Sequence, residues 1–157
     1  MKPILMAGLL ALSPLAALAD ESPIFATYGT SNGSLPPEFA WDNEVTIHED
    51  GKIEIRHCKG YETEGPGCKT RKGKVTEEDI AAIRVAALAS DLAEKPATRS
   101  PDPMVGGGGD WGAVFIDGQE YKLLWDTIPE DANRVEAVKA AIRAAIPPKF
   151  ESFMHPD

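Results

Sequence analysis

Few side chains in this sequence are of the types that do chemistry, and their spacing limits what they can do. His48 and His57 are the most suggestive pair, because two imidazoles are a common start for a transition-metal site. They sit on the two arms of the alternating stretch 44–58, EVTIHEDGKIEIRHC. In the register argued below they have opposite parity on adjacent strands, so they point to opposite faces and cannot easily share one ion. His48 is expected to face outward beside Lys52, and His57 to end the apolar face. No HExxH motif and no His/Cys set with zinc spacing is present.

Nucleophilic catalysis requires Ser, Thr or Cys beside a base, and there is no G-x-S-x-G. Gly29-Thr30-Ser31 and Asn32-Gly33-Ser34 have the composition of turns; the second is also an N-glycosylation sequon, relevant only in a host that glycosylates. The four glycines 106–109 suggest a phosphate cradle. A strand is expected after them, however, so no helix N-terminus is available to hold the anion. Gly73-Lys74-Val75 lacks the hydroxyl of a nucleotide loop. The 25 acidic residues offer many carboxylate pairs, but no spacing singles one out. Asp117, Asp126, Glu130 and Asp131 could gather at one end of a domain, yet they fit no calcium-loop pattern. No catalytic residue, metal ligand or cofactor is therefore assigned.

Recognition remains. Cys58 and Cys68, the only two cysteines, enclose the 11-residue loop CKGYETEGPGC and are expected to form a disulfide. Tyr61 falls at the tip of that loop. Met104, Gly106, Gly107 and Trp111 belong to or flank the glycine-rich segment. A bridged loop beside a long one is a candidate binding edge. Trp111 and Trp125 could instead pack beneath the helices as core, and that is the expectation carried forward for them.

Two hairpins and two helices must position these residues. In 44–58, a three-residue loop Glu49-Asp50-Gly51 sets Val45 opposite Ile55 and Ile47 opposite Ile53, which gathers four apolar side chains on one face. A two-residue turn would mix apolar with charged. Gly51 supplies the left-handed residue such a loop needs. The basic stretch 69–75 is expected as a third strand at a sheet edge. Thr76 and Asp79 mark the start of a helix over about 77–91, with an apolar stripe of Ile80, Ile83, Val85, Ala87, Leu88 and Leu92. Residues 93–110, with three prolines and the glycine run, are expected to be irregular. The second hairpin, 111–125, is assigned a loop Ile116-Asp117-Gly118 by the same reasoning. That would put Trp111, Ala113, Phe115, Tyr121, Leu123 and Trp125 on one face. A second helix begins between 126 and 130, with Thr127 and Glu130 at capping-box spacing. It carries Val135, Val138, Ile142 and Ile146 inward and ends at Pro147-Pro148.

The expected fold is α+β: an antiparallel sheet of four to five strands built from two hairpins, with two helices on one face, ββ(β)αββα. Residues 1–19 read as a secretory signal peptide, with Lys2, an apolar run and Ala17-Leu18-Ala19 before Asp20. Residues 20–42 read as an irregular arm, 43–148 as a single domain, and 149–157 as a tail. No apolar run long enough to span a bilayer follows the leader. The formal charge is −9, and becomes −10 without Lys2 because the leader holds no acid. Nucleic acid is disfavoured as a partner, since phosphate affinity needs clustered Lys and Arg. These features suggest a secreted or periplasmic domain, a non-enzymatic binding or inhibitor module for a protein of the cell envelope. A small hydrolase using acidic residues and a passive structural protein are the competing readings.

Overall fold

A computed structural model describes residues 22–62, 65–102 and 106–155. The expected leader and Met104 lie outside the described residues. The strands are β1 (Ile24–Ser31), β2 (Trp41–His48), β3 (Lys52–Lys59), β4 (Cys68–Lys74), β5 (Gly109–Ile116) and β6 (Gln119–Leu123). They form one antiparallel sheet in the order β4-β3-β2-β1-β5-β6. The helices α1 (Glu77–Ser90) and α2 (Pro129–Ala145) pack on each other and on one face of the sheet. The α+β class, the two hairpins and the edge strand 69–75 stand as expected.

The first hairpin has the expected register, Val45 opposite Ile55 and Ile47 opposite Ile53, with Gly51 at φ 79°. All four side chains are fully buried. Fully burying such a branched residue contributes about 1.5–3 kcal/mol, so this quartet anchors the core.

The sixth strand is a correction. Residues 24–31 are not part of an irregular arm; β1 lies at the centre of the sheet and joins the two hairpins, pairing with β2 on one side and β5 on the other. A bulge conceals it in the sequence: Ile24 pairs with His48 and Ala26 with Ile47, leaving Phe25 as the extra residue. Phe25 and Ala26 are then both buried, and the guanidinium of Arg84 on α1 lies 5.1 Å over the Phe25 ring. A bulge breaks the two-residue alternation by which a strand is recognised.

The second hairpin also differs. Its turn has two residues, Asp117 at φ 51° and Gly118 at φ 79°, the doubly left-handed geometry that suits the twist of flanking strands. Val114 therefore faces Tyr121 and Gly112 faces Leu123. Val114, Ile116, Tyr121 and Leu123 enter the core, while Trp111, Ala113 and Phe115 have the opposite parity and leave the helix side. Neither Trp111 nor Trp125 is in the helix-side core.

In α1 the capping box forms. Thr76 Oγ1 accepts the Asp79 N–H at 3.1 Å and Asp79 Oδ2 accepts the Thr76 N–H at 2.9 Å. The buried stripe is narrower than expected: Ile83, Ala87 and the following Leu92 are inside, whereas Val85 and Leu88 are exposed. In α2 the expected box of Thr127 and Glu130 is absent. Ile128 is the N-cap without a side-chain bond, and Pro129 opens the helix. Asp131 instead accepts the Thr98 N–H at 2.7 Å and pairs with Arg134 at 2.8 Å. This fastens part of the 93–110 segment, where Arg99 also bridges to Thr127. Residues 148–154, expected mostly as a tail, are structured. A 3-10 turn (Pro148–Phe150) and the short α3 (Glu151–Met154) bury Phe150 and Met154 against the core.

Candidate functional site

The helices leave the second face of the sheet uncovered, and one end of it carries an aromatic cleft. Ser31 of β1 pairs with Asp42 of β2 and with Gly109 of β5; one step along, Gly29 pairs with Glu44 and Trp111. The two glycines explain the placement of two indoles. A methyl group built on Gly29 would fall 2.4 Å from Cε2 of Trp111, so this indole occupies space that only glycine leaves open. One on Gly109 would fall 3.1 Å from Cε3 of Trp125. The absence of two Cβ atoms thus makes a seat for Trp111 on β5 and for Trp125 just beyond the end of β6.

Three chain-distant loops close the cleft. Gly60 N–H donates to the Ala40 carbonyl at 2.7 Å, and the Tyr61 hydroxyl donates to the Leu35 carbonyl, joining the bridged loop to the 32–40 loop. Within 32–40, the Asn32 side chain donates to the Phe39 carbonyl at 2.7 Å and accepts the Trp41 N–H at 2.8 Å. Gly33 meets the glycine run directly, since a Cβ there would lie 2.6 Å from the Gly107 carbonyl carbon. Behind Tyr61, the disulfide Cys58–Cys68 joins directly opposed residues of β3 and β4. It holds both ends of the loop that carries Tyr61.

The resulting cleft has a volume of about 340 Å³ and is lined by Trp41, Asp42, Tyr61, Gly107, Trp111 and Trp125, with Ser31, Ser34 and nearby backbone. All three tryptophans of the chain contribute. Of its aromatic lining, Tyr61 is 62% and Trp111 43% exposed, and Phe39 of the adjoining 32–40 loop is 64% exposed. Trp41 reaches the cleft at the sheet end, and its ring packs edge-on against His155 at 5.3 Å. Asp42 is the one carboxylate among the described lining residues, and burial pushes its pKa up against the opposing pull of Arg56.

Of the residues singled out in the sequence, Tyr61, Gly107 and Trp111 come together here. Gly106 adjoins them at φ 84° in open space without lining the cleft. Asp42, Ser31 and Trp41 were not singled out. They lie on or beside the strand that the bulge conceals, and no motif marks them.

Two other polar clusters sit on the helix side. Asp110 accepts from Lys139 Nζ at 2.7 Å, Arg143 at 2.9 Å and the Tyr28 hydroxyl at 2.9 Å. Burial raises the Asp110 pKa, but the bonds and charge of Lys139 outweigh it and hold the carboxyl below its usual value. Burial, with Asp110 adding to it, pushes the Tyr28 phenol up to about 12. Of these groups, Tyr28 and Arg143 border a cavity of about 470 Å³ that also meets Glu151 and His155. In the second cluster, His57 Nδ1 bonds Asn43 Oδ1 at 2.9 Å, and Asn43 donates to the Met154 carbonyl at 3.0 Å. His57 Nε2 is buried without a hydrogen bond, and burial, then Lys59, lowers its pKa. His48 is also buried. Its Nδ1 lies 2.7 Å from the Ser22 carbonyl, because the segment leading into β1 folds over it.

Among the described residues no three His, Cys, Asp or Glu side chains are grouped to hold a metal ion, and no helix is long and apolar enough to cross a membrane. No protein-family model matches the chain, and no curated protein is significantly similar to it in sequence.

Proposed function

We propose that the protein is an exported, non-enzymatic binding or inhibitor module that holds a protein of the cell envelope in the aromatic cleft. One observation carries this reading. Three loops distant in the chain converge to expose Tyr61 and Trp111 in a cleft lined by every tryptophan of the sequence. Exposed Trp and Tyr over a rigid base are the side chains that dominate recognition surfaces. The base is rigid here because it is a central sheet, a disulfide and backbone hydrogen bonds between loops. The disulfide also supports an oxidising compartment, in agreement with the leader read in residues 1–19.

A hydrolase using acidic residues needs two carboxylates facing one substrate. Among its described lining residues the cleft offers Asp42 alone. Among its described lining residues the helix-side cavity likewise offers one carboxylate, Glu151, while Tyr28 and Arg143 are tied to Asp110. Binding is therefore the reading the geometry supports better.

Affinity capture from the envelope fraction tests it, using the tagged chain, Tyr61→Ala and Trp111→Ala. One stoichiometric protein retained by the parent and lost by both variants is the expected result. A protein captured equally by all three would remove the cleft from consideration.

A further inference from the structure

We infer that the cleft selects a cationic side chain, a lysine or arginine presented by a segment of the partner protein, with its stem on the exposed indoles and its charge toward Asp42. This rests on the binding reading above and adds the chemistry of the occupant. The Trp111 indole sits over the Gly29 backbone with the side chain 43% exposed, so an aromatic surface is left free. Aromatic faces carry the negative side of a quadrupole and attract ammonium and guanidinium groups. Trp111, Trp125 and Tyr61 supply three such rings around one space.

The charge balance points the same way. Among the described residues that line the cleft there is one carboxylate and no lysine or arginine. Asp42 is half-buried, and among the described residues no lysine or arginine is in ion-pair contact with it. Glu44, the next carboxylate along β2, is paired with Arg56. Burial raises the Asp42 pKa and the nearby charge of Arg56 offsets this only in part; a cation brought into contact would oppose the rise further. A volume of about 340 Å³ accommodates one long side chain rather than a folded element. The chain's net charge of −9 steers a basic segment toward it.

Three probes test this by NMR of the indole Nε1–H signals: Nα-acetyl-lysine methylamide, Nα-acetyl-arginine methylamide and the neutral Nα,Nε-diacetyl-lysine methylamide. The two cationic probes should shift the Trp111 and Trp125 signals saturably, and Asp42→Asn should weaken them by about tenfold. The neutral probe should bind about as weakly to the parent chain as the cationic probes do to Asp42→Asn. If the neutral probe shifts the same signals equally, the cleft binds but does not select charge; the inference fails and the binding reading stands. If no probe shifts either indole, the inference fails, and loss of differential capture with Tyr61→Ala and Trp111→Ala would then bring down the reading beneath it. Should Asp42→Asn disturb the fold, the comparison of cationic with neutral probe on the parent chain still decides.

Discussion

Gly29→Ala should unseat Trp111. The new methyl would lie 2.4 Å from Cε2, 2.5 Å from Nε1 and 2.7 Å from Cζ2 of the indole. Carbon atoms in good contact sit about 3.5–4.0 Å apart, so the ring must retreat by about 1 Å or more. The strand cannot yield instead, because β1 is paired on both sides at this residue, to Glu44 and to Trp111 itself. Overpacking of this kind costs about 1–3 kcal/mol. At about 2–4 °C per kcal/mol for a chain of this size, the melting temperature should drop by several degrees. In a Trp111→Ala background the obstacle is gone. There Gly29→Ala should be neutral or stabilising by about 0.4–1 kcal/mol, because alanine restricts the unfolded chain. The double-mutant cycle should therefore show a coupling of at least about 1 kcal/mol. Urea unfolding followed by far-UV circular dichroism measures it, and the emission maximum of Gly29→Ala should shift as the indole is displaced. Equal losses in both backgrounds would refute the seating of Trp111 on Gly29.

Asp110→Ala leaves Lys139, 4% exposed, without its carboxylate, and should cost about 3–5 kcal/mol in urea unfolding; a loss under 1 kcal/mol would show the pair to be solvated. His57 has its pKa lowered from 6.5 by burial, so the unfolded chain binds the proton more readily. Its contribution to stability is complete above pH 6.5 and is lost as pH falls from there toward the folded-state value. His57→Gln should flatten that part of the stability profile, and an unchanged slope would count against it. Reducing the Cys58–Cys68 bridge should destabilise the fold by at most about 3 kcal/mol for an 11-residue loop; intact mass before and after should differ by two hydrogens, and a failure to do so would rule out the bridge.

What the sequence revealed of the fold depended on how regular each element is. The first hairpin was legible because its apolar residues alternate strictly and only one loop length gathers them on one face. Helix α1 was legible from Thr76 and Asp79, whose reciprocal bonds form as their spacing predicts. Strand β1 was not, because the Phe25 bulge shifts the period by one residue in an eight-residue strand. The second hairpin misled through its aromatics. Trp111 and Phe115 are the larger apolar residues, but Asp117 accepts a left-handed conformation and the two-residue turn gives the core to Val114 and Ile116. The candidate site was half legible for the same reason. Tyr61, Gly107 and Trp111 are marked by their loops, whereas Asp42 and Ser31 acquire meaning only when β1 brings β2 and β5 together around it.

Photocrosslinking most directly tests whether the aromatic end of the sheet is where this protein meets its partner. A photoreactive amino acid placed at Phe39, beside the cleft, should give one discrete adduct in the envelope fraction. The same group at Val85, equally exposed on α1, should give none. An adduct from Val85 and none from Phe39 would contradict the account and move the interaction surface to the helical side of the molecule.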